Sequence, residues 1–244
     1  MRNYKLEFEK RVNYIKNLLK ESHATGIVYG NSGGKDSALV GILCKAACEN
    51  TVGIIMPCMS KRNFEEDMQD GKTLAKQFKI ETRILDLTDT KKTIMSALKG
   101  VTELSDMAIS NISPRLRMIS VYAVAASENR IVAGTGNRSE GYMGYFTKWG
   151  DGAYDFNPIA DLTVREIYEF LAFLNAPINI IKKAPSAGLF EGQTDEAEMG
   201  VSYDAIDSFL LEGIVSPENK AIIDRFHNRS EHKRKLPSVY SDEE

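Results

Sequence analysis

The sequence predicts an α/β fold in which a mainly parallel sheet is covered by helices on both faces. Short apolar runs alternate with helical patterns of ten residues or more, which is typical of βαβ units. Two of the apolar runs end in glycine-rich turns, at Gly30 and Gly134. No internal repeat and no Pro- or Ser-rich linker divides the 244 residues, so we expect a single domain over 1–244.

The elements of the first half follow from periodicity and turn residues. Apolar residues at i, i+4, i+7 and i+11 predict an amphipathic helix, and short apolar runs predict three strands. A glycine-rich stretch ends the first strand, Pro57 closes the second, and Asn63 is a candidate N-cap for the helix that follows. The predicted elements are a helix with the stripe Phe8, Val12, Ile15 and Leu19, strands at 27–29, 52–56 and 82–87, and helices at 36–48, from Asn63 to about 78, and at 90–98.

The second half adds one more strand and helices with recognisable caps. Asn111 is a candidate N-cap, Thr163 and Glu166 form a capping box, and Ser216 precedes a proline at the first helical position. These signals predict a helix with the stripe Ile112, Leu116, Ile119, Ala123 and Ala126, a strand at 131–133, a helix at 164–174 and a last helix opened by Ser216, Pro217 and Glu218.

Composition excludes several classes of protein. Apolar residues make up 43% and charged residues 27%, as in an ordinary globular protein, and no apolar run approaches the ~18 residues of a membrane span. The first residues carry no apolar signal-peptide core. A net charge of −3 argues against a dedicated nucleic-acid binder, and Cys44, Cys48 and Cys58 form no metal-binding pattern. We therefore expect a soluble cytoplasmic protein that binds neither nucleic acid nor membrane.

The first glycine-rich turn has the composition of a phosphate-binding loop. Paired glycines let the backbone approach a ligand, and a helix N-terminus offers free N–H groups to an anion. The stretch fits neither the Walker A spacing nor the dinucleotide fingerprint. Asp36 within it is compatible with a phosphate if Mg²⁺ lies between them, although an Asp at this place is also an ordinary helix cap. The stretch is Gly30, Asn31, Ser32, Gly33, Gly34, Lys35, Asp36 and Ser37.

The string from Ser32 to Ser37 resembles the pyrophosphate-binding loop of the ATP pyrophosphatase (PP-loop) families. This resemblance implies a Rossmann-type PP-loop fold of the adenine-nucleotide α-hydrolase type and an enzyme that adenylates its substrate and releases pyrophosphate. The string alone leaves NAD synthetases, GMP synthetases, asparagine synthetases and tRNA-modifying enzymes open.

Four further segments resemble ammonia-dependent NAD synthetase. They are residues 111–118 (NISPRLRM), 134–140 with 144–152 (GTGNRSE and GYFTKWGDG), 183–189 with 192–196 (KAPSAGL and GQTDE), and 232–235 (HKRK). Together they extend from the phosphate loop to near the end of the chain.

The resemblance implies a ligase that forms a C–N bond in the last step of NAD biosynthesis. Deamido-NAD is amidated by free ammonia, with ATP as co-substrate and Mg²⁺ as cofactor, through an NAD-adenylate intermediate that yields NAD, AMP and pyrophosphate. It also implies a homodimer, and an active-site lid over 184–198. Because the phosphate loop begins by residue 30, we expect no glutaminase domain ahead of it.

The resemblance also implies roles for individual residues. Asp36 and Glu140 are expected to hold Mg²⁺, and Asp151 to orient ammonia or take its proton, although Asp151 also fits a plain Asp-Gly turn. ATP is expected on the whole stretch Gly30 to Ser37, on Thr135 and on Ser186. The residues expected to bind deamido-NAD are Arg115, Lys148, Asp155, His232 and Lys233.

Two positions depart from the family pattern, and two other functions stay open. Val164 stands where relatives often carry an ATP-contacting lysine, with Arg165 about 100° away on the helix, and Pro114 replaces an alanine before Arg115. The same loop could serve another acceptor, as in a GMP synthetase core or a tRNA-modifying enzyme. It could also belong to a nucleotide-binding module without catalysis, similar to universal-stress or electron-transfer flavoprotein folds.

Overall fold

The computed structural model describes residues 2–60, 64–183 and 195–240. Within them, a parallel four-stranded sheet has the order β3-β2-β1-β4. The strands are β1 (Gly26–Gly30), β2 (Thr51–Ile55), β3 (Glu81–Ile84) and β4 (Arg130–Ala133). Because the strand order reverses beside β1, the carboxyl ends of β1 and β4 flank the crevice where such folds bind ligands.

Helices surround the sheet. In chain order they are α1 (Tyr4–Ser22), α2 (Lys35–Ala47), α3 (Glu66–Phe78), α4 (Thr88–Leu98), α5 (Asp106–Glu128), α6 (Arg138–Met143), α7 (Val164–Phe173), α8 (Ile178–Lys182), α9 (Asp195–Met199), α10 (Tyr203–Glu212), α11 (Pro217–Arg229) and α12 (Glu231–Arg234). In the described ranges none of these helices combines the length and the apolar composition that crossing a membrane requires.

The central strand β1 explains why both faces of the sheet are covered. Its side chains alternate between the two faces, and it is buried at four of its five positions. Val28 packs with Leu116 and Val121 of α5 on one face, whereas Tyr29 packs with Leu39 of α2 on the other. Each such side chain contributes roughly 1.5–3 kcal/mol on full burial. The predicted parallel sheet with helices on both faces is confirmed.

A third apolar cluster holds the C-terminal helices beside the sheet. Met143 at the end of α6 packs with Ile206 of α10 and Ile223 of α11, and all three are buried. This cluster brings α11 and α12 to the carboxyl end of β4. The basic residues at the end of the chain therefore reach the same crevice as the glycine-rich turns.

The predicted N-caps of two helices are confirmed. The capping box of α7 is present, with the Thr163 hydroxyl accepting from the Glu166 N–H and the Glu166 carboxylate accepting from the Thr163 N–H. Ser216 caps α11 by accepting from the Asn219 N–H at 3.2 Å. Asn63, the predicted cap of the helix that became α3, lies outside the described residues.

The predicted start of α5 was wrong by six residues. The helix begins at Asp106 and is capped by Ser105, whose hydroxyl accepts from the Ala108 N–H. Asn111 therefore lies inside the helix, where its Oδ1 accepts from the Thr147 hydroxyl at 2.5 Å. Because Ser is as good an N-cap as Asn, the local signal could not separate the two starts.

The earlier start changes the setting of two other residues in α5. Pro114 is not near the helix start but in the helix interior, where it removes one intrahelical hydrogen bond. Ile119, predicted in the apolar stripe, is 58% exposed and faces away from the sheet. The buried stripe of α5 is instead formed by Ser113, Pro114, Leu116, Val121 and Ala125.

Strand β3 is shorter than predicted. It ends at Ile84, although the Leu85 and Leu87 N–H groups still donate to the carbonyls of Ile55 and Pro57. The predicted helix over 90–98 begins two residues earlier, as α4. Helices α6, α8, α9, α10 and α12 were not predicted.

Candidate active site

The loop between β1 and α2 is held open by its own polar side chains. The buried Asn31 amide donates to the Gly71 carbonyl at 3.1 Å, while its oxygen accepts from the Gly33 N–H at 3.3 Å. The Ser32 and Ser37 hydroxyls lie 3.1 Å apart. Gly34, the N-cap of α2, provides no side chain to the first N–H groups of the helix. The positive end of α2 is therefore available to an anion.

Helix α3 presses against the back of this loop. Gly33 has φ +72°, and a Cβ there would lie 2.1 Å from the Asp67 carbonyl oxygen. Asp67 also binds the Lys183 ammonium at 2.7 Å, and Asp70 binds the same ammonium at 2.6 Å. These two ion pairs fix Lys183 beside the loop.

Two carboxylates from neighbouring strand exits meet around one cation. Lys35 Nζ lies 2.7 Å from Asp36 Oδ2 and 4.0 Å from Glu140 Oε1. Burial alone lowers the pKa of Lys35, but the two carboxylates outweigh it and raise that pKa. Burial, and then the charge of Asp36, raise the pKa of Glu140. This pair of acids is therefore stabilised as carboxylates only when positive charge lies between them.

Asn137 connects the two strand exits, and it was not predicted as a site residue. It caps α6 in a capping box with Glu140: Asn137 Oδ1 accepts from the Glu140 N–H at 2.9 Å, and Glu140 Oε2 accepts from the Asn137 N–H at 3.1 Å. The Asn137 amide also donates to Asp36 Oδ1 at 3.1 Å. The N-x-x-E spacing is a cap signal that could have identified Asn137 from the sequence.

The chemistry of these donors fits Mg²⁺. Mg²⁺ is bound in proteins through one or two carboxylates together with waters and substrate phosphates. Asp36 and Glu140 provide two carboxylates beside the phosphate loop. The described residues contain no group of three or more His, Cys, Asp or Glu side chains placed to hold a metal ion without a substrate. Such a site binds a cation best when phosphates complete it.

One large cleft gathers most of the predicted site residues. Its volume is about 1470 Å³, enough for more than one nucleotide. Its wall includes Gly30, Asn31, Ser32, Gly34, Lys35, Asp36, Thr135, Glu140, Asp151, His232 and Lys233. Gly33 and Ser37 support the loop without lining the cleft. Ser186, predicted to contact ATP, lies outside the described residues.

Asp151 lines the same cleft as the phosphate loop, and cations lie near its carboxylate. Its Oδ1 accepts from the Thr147 N–H at 3.0 Å, which fixes the carboxylate. Desolvation raises the pKa of Asp151, while Arg117 and Lys233 act in the opposite direction. Lys233 is fixed by the carbonyls of Gly144 and Phe146, at 2.8 and 2.7 Å from its Nζ. Asp151 is thus positioned to accept a proton or an N–H from a ligand in the cleft.

Three residues predicted to bind the acceptor do not line the cleft. Arg115 donates to the Lys148 carbonyl at 3.3 Å, and Lys148 Nζ donates to the His232 carbonyl at 2.7 Å. Asp155 accepts from the Tyr122 hydroxyl at 3.1 Å and from the N–H of Val132 on β4.

These three residues belong to one exposed surface. Arg115, Ile119 and Tyr122 share the side of α5 that faces away from the cleft, because they are four and three residues apart. Ile119 is 58% exposed, and the neighbouring Trp149 is 52% exposed. We call this surface the outer face; it comprises Arg115, Ile119, Tyr122, Lys148, Trp149 and Asp155.

Val164 stands where relatives often carry a lysine, so α7 presents no cation to the cleft. Val164 is buried in the third apolar cluster. Arg165 instead forms exposed ion pairs with Asp204 and Glu212 of α10, at 2.8 and 3.3 Å. As predicted, Arg165 points elsewhere and cannot replace the missing lysine.

Comparisons with known proteins show similarity to enzymes named for the synthesis of NAD or NMN. A family model described as NAD synthase matches residues 7–237. An NH(3)-dependent NAD(+) synthetase of Carboxydothermus hydrogenoformans is 45% identical over 240 residues, covering 97% of this chain and 98% of that protein. Among solved structures, an NMN synthetase from Francisella tularensis has a TM-score of 0.93 at 39% identity, covering 98% and 99% of the two chains. An NH3-dependent NAD synthetase from Campylobacter jejuni has a TM-score of 0.79 at 30% identity, covering 99% and 100%.

Proposed function

Because the chain belongs to the NAD synthase family, we propose that its cleft carries out the ammonia-dependent synthesis of NAD. The reaction is the ATP- and Mg²⁺-dependent amidation of deamido-NAD, which yields NAD, AMP and pyrophosphate. The observation that carries this assignment is the meeting of Asp36 and Glu140 beside a phosphate loop in a chain related over nearly its whole length to these ligases.

The phosphate loop binds ATP through its backbone. The N–H groups at the start of α2 and the hydroxyls of Ser32 and Ser37 face the phosphates, and Thr135 contacts ATP from the second turn. Asp36 and Glu140 are the residues that would hold Mg²⁺ beside those phosphates. A bound ion would supply positive charge opposite the pyrophosphate leaving group. The ammonium group of Lys35 then leaves the two carboxylates and pairs with a phosphate oxygen instead.

The chemistry proceeds in two displacements. A carboxylate oxygen of the nicotinate group attacks the α-phosphorus of ATP, and the bond to pyrophosphate breaks. Ammonia then attacks the carbonyl carbon of the resulting acyl-adenylate, the bond to AMP breaks, and a proton leaves the nitrogen. Asp151 accepts that proton or orients the incoming ammonia, because its carboxylate is fixed by Thr147 and lines the cleft that contains the phosphate loop.

Binding of the acceptor involves both the cleft and the outer face. His232 and Lys233 line the cleft, whereas Arg115, Lys148 and Asp155 lie on the outer face. One nucleotide contacts both sets if a second copy of the chain covers the outer face. Exposed Ile119 and Trp149 supply apolar surface for such a contact. A homodimer therefore accounts for the positions of these residues.

The homodimer is tested by changing the outer face. Wild-type protein is expected to sediment as a dimer at micromolar concentration, and Ile119→Asp as a monomer with reduced affinity for deamido-NAD. Val101→Asp is the matched control, since Val101 is also exposed but lies outside the outer face. A wild-type monomer that is fully active would overturn this part of the proposal.

The 1–244 chain works as one domain in the cytoplasm. The match of the family model to residues 7–237 supports a single domain. Cys44, Cys48 and Cys58 are all free thiols, which suits a reducing compartment.

A second acceptor is favoured by one comparison. The solved structure named NMN synthetase superimposes with a TM-score of 0.93, against 0.79 for the Campylobacter jejuni NAD synthetase. An amidation that yields NMN takes nicotinate mononucleotide, which carries the same nicotinate carboxylate but lacks the adenylyl half. The cleft residues that act on the carboxylate serve either acceptor, so the second candidate is amidation of nicotinate mononucleotide.

One chromatographic assay separates these functions. The protein is incubated with ATP and Mg²⁺, with deamido-NAD or nicotinate mononucleotide, and with ammonium or glutamine as nitrogen source. NAD and AMP formed from deamido-NAD with ammonium support the proposal. A higher kcat/KM for nicotinate mononucleotide would favour the second candidate. Folded protein that forms no AMP with either acceptor would refute both and would favour a non-catalytic nucleotide-binding module.

A further inference from the structure

A buried lysine that the sequence analysis did not single out lines the cleft. Lys91 extends from α4, is only 5% exposed, and donates from Nζ to Ser113 Oγ at 2.9 Å. Ser113 lies on the buried side of α5. A hydroxyl is a neutral partner, and among the described residues no carboxylate forms an ion pair with Lys91. A buried ammonium without a counter-charge is costly unless a ligand provides one.

A second cation shares this part of the cleft. Arg117 follows Ser113 by one helical turn, so both face the same side of α5. Its Nε donates to the carbonyl of Met56, just beyond the end of β2, at 3.1 Å. Burial, and more weakly the charge of Arg117, lower the pKa of Lys91. The charges of Asp67 and Asp151 act on Arg117, whereas none of the described carboxylates pairs with Lys91. The wall around Lys91 therefore keeps an uncompensated positive charge that an anion can neutralise.

The triphosphate of ATP is not the partner of this pair. The phosphate loop follows β1, whereas Lys91 lies on the helix after β3, two strands away in the sheet. Two strand spacings amount to about 10 Å. A triphosphate bound on the loop between Asp36 and Glu140 already has its own cations there. The anion at Lys91 therefore belongs to a second molecule in the cleft.

We propose that Lys91, together with Arg117, binds the phosphate next to the nicotinoyl ribose of the acceptor nucleotide. This inference rests on the proposed function, which places the nicotinate carboxylate at the α-phosphate of ATP. Of the acceptor's anionic groups, the phosphate on the same ribose is the nearest to that carboxylate. Both deamido-NAD and nicotinate mononucleotide carry this phosphate, so the subsite serves either acceptor.

The test compares Lys91→Met with Lys92→Met. Methionine keeps the length of the side chain without the charge, and Lys92 is the next residue on α4, exposed and paired with Asp89. For Lys91→Met, the Kd of each acceptor, measured by calorimetry without ATP, is expected to rise about 10- to 100-fold, as for the loss of a charged hydrogen bond. The KM of the acceptor rises in parallel, while the KM of ATP stays within about twofold of wild type. Lys92→Met behaves as wild type.

Thermal unfolding distinguishes a binding role from a structural one. If Lys91 serves ligand binding, its buried and unneutralised ammonium destabilises the protein while no ligand is bound. Lys91→Met is therefore expected to melt at the same temperature as wild type or at a higher one. Lys91→Arg, which retains the charge, is expected to keep most of the affinity. An unchanged acceptor Kd in Lys91→Met would overturn the inference, as would a rise confined to the KM of ATP.

The same experiments separate this inference from the proposed function. If wild-type protein forms neither NAD nor NMN, the proposed function fails. Calorimetry without ATP still reports whether Lys91 contributes to binding of the nucleotide phosphate. If wild type is active and Lys91→Met has an unchanged acceptor Kd and KM, only the subsite at Lys91 is wrong.

Discussion

Replacement of Gly33 by alanine tests how tightly α3 supports the phosphate loop. At Gly33 two costs coincide, a φ of +72° and a Cβ position 2.1 Å from the Asp67 carbonyl oxygen. Gly213 has the same backbone conformation, φ +73°, with no atom within 4 Å of its Cβ position. Gly34 has an ordinary φ of −93°, and its Cβ would meet only Ser32 Oγ at 3.3 Å. The three glycines separate the conformational cost from the steric one.

The expected free energies of unfolding follow from these geometries. A left-handed conformation costs an alanine about 1–2 kcal/mol, partly offset by the reduced freedom of the unfolded chain. Overpacking adds about 1–3 kcal/mol, because the carbonyl must move from 2.1 Å to the 3.4 Å of ordinary contact. Gly33→Ala is therefore destabilised by about 2–4 kcal/mol, Gly213→Ala by about 1 kcal/mol and Gly34→Ala by less. For a chain of this size, 2–4 kcal/mol corresponds to a fall in Tm of about 4–16 °C.

The assay is thermal unfolding of each variant without ligand, followed by circular dichroism. The expected order of Tm is Gly33→Ala lowest, Gly213→Ala next, and Gly34→Ala close to wild type. If Gly33→Ala melted no lower than Gly213→Ala, the contact with the Asp67 carbonyl would carry no strain. The conclusion that α3 holds the loop from behind would then be wrong.

Three other predictions concern the carboxylates. Asp36→Asn is expected to lower turnover by at least about 100-fold and to weaken Mn²⁺ binding, measured by electron paramagnetic resonance with ATP present, while Tm stays near that of wild type. The buried Asp207 accepts from the Ser139 hydroxyl and from a backbone N–H, so Asp207→Ala should lower the free energy of unfolding by about 2–4 kcal/mol in urea titrations. Hydrogen bonds from Arg83 and Arg130 lower the pKa of Glu128 from 4.5 to about 2. The ionised Glu128 carboxylate stabilises the fold fully above pH 4.5, and this stabilisation is lost as the pH falls through 2. The difference in urea midpoint between wild type and Glu128→Gln should therefore shrink as the pH is lowered from 4.5 to 2.

Features set by local sequence were predictable, and those set by packing were not. Two glycine-rich turns after strands of one parallel sheet indicated where the site lies, and the resemblance to NAD synthetases implied that Asp36 and Glu140 pair there. The structure places both carboxylates around one ammonium. The start of α5 could not be predicted, because Ser105 and Asn111 are equally good caps. Only the tertiary contact of Asn111 with Thr147 decides between them.

Lys91 shows where composition misleads. In the sequence it is one of two adjacent lysines in a polar segment, a pattern typical of a solvated helix face. Packing of α4 on α5 buries Lys91 to 5% exposure and leaves its neighbour Lys92 in water. Arg115 and Asp155 show the converse. Their residue types suggest a binding pocket, yet in a single copy of the protein both lie on an exposed surface. Their role therefore depends on what covers that surface.

The capping box of α6 explains how two acids are kept together in a buried place. Glu140 uses one carboxylate oxygen to accept from the Asn137 N–H, which leaves the other directed at the cation. The Asn137 amide meanwhile donates to Asp36, so one residue orients both carboxylates. The positive end of α6 favours the ionised form of Glu140, whereas burial and Asp36 oppose it by raising the pKa of Glu140. The cap thus provides the geometry, and a cation provides the missing charge. In the free protein that cation is Lys35, and in the proposed mechanism it would be Mg²⁺ together with the ATP phosphates. The proposed mechanism therefore predicts that metal and nucleotide bind together, because the metal neutralises the two acids while the phosphates accept the ammonium of Lys35.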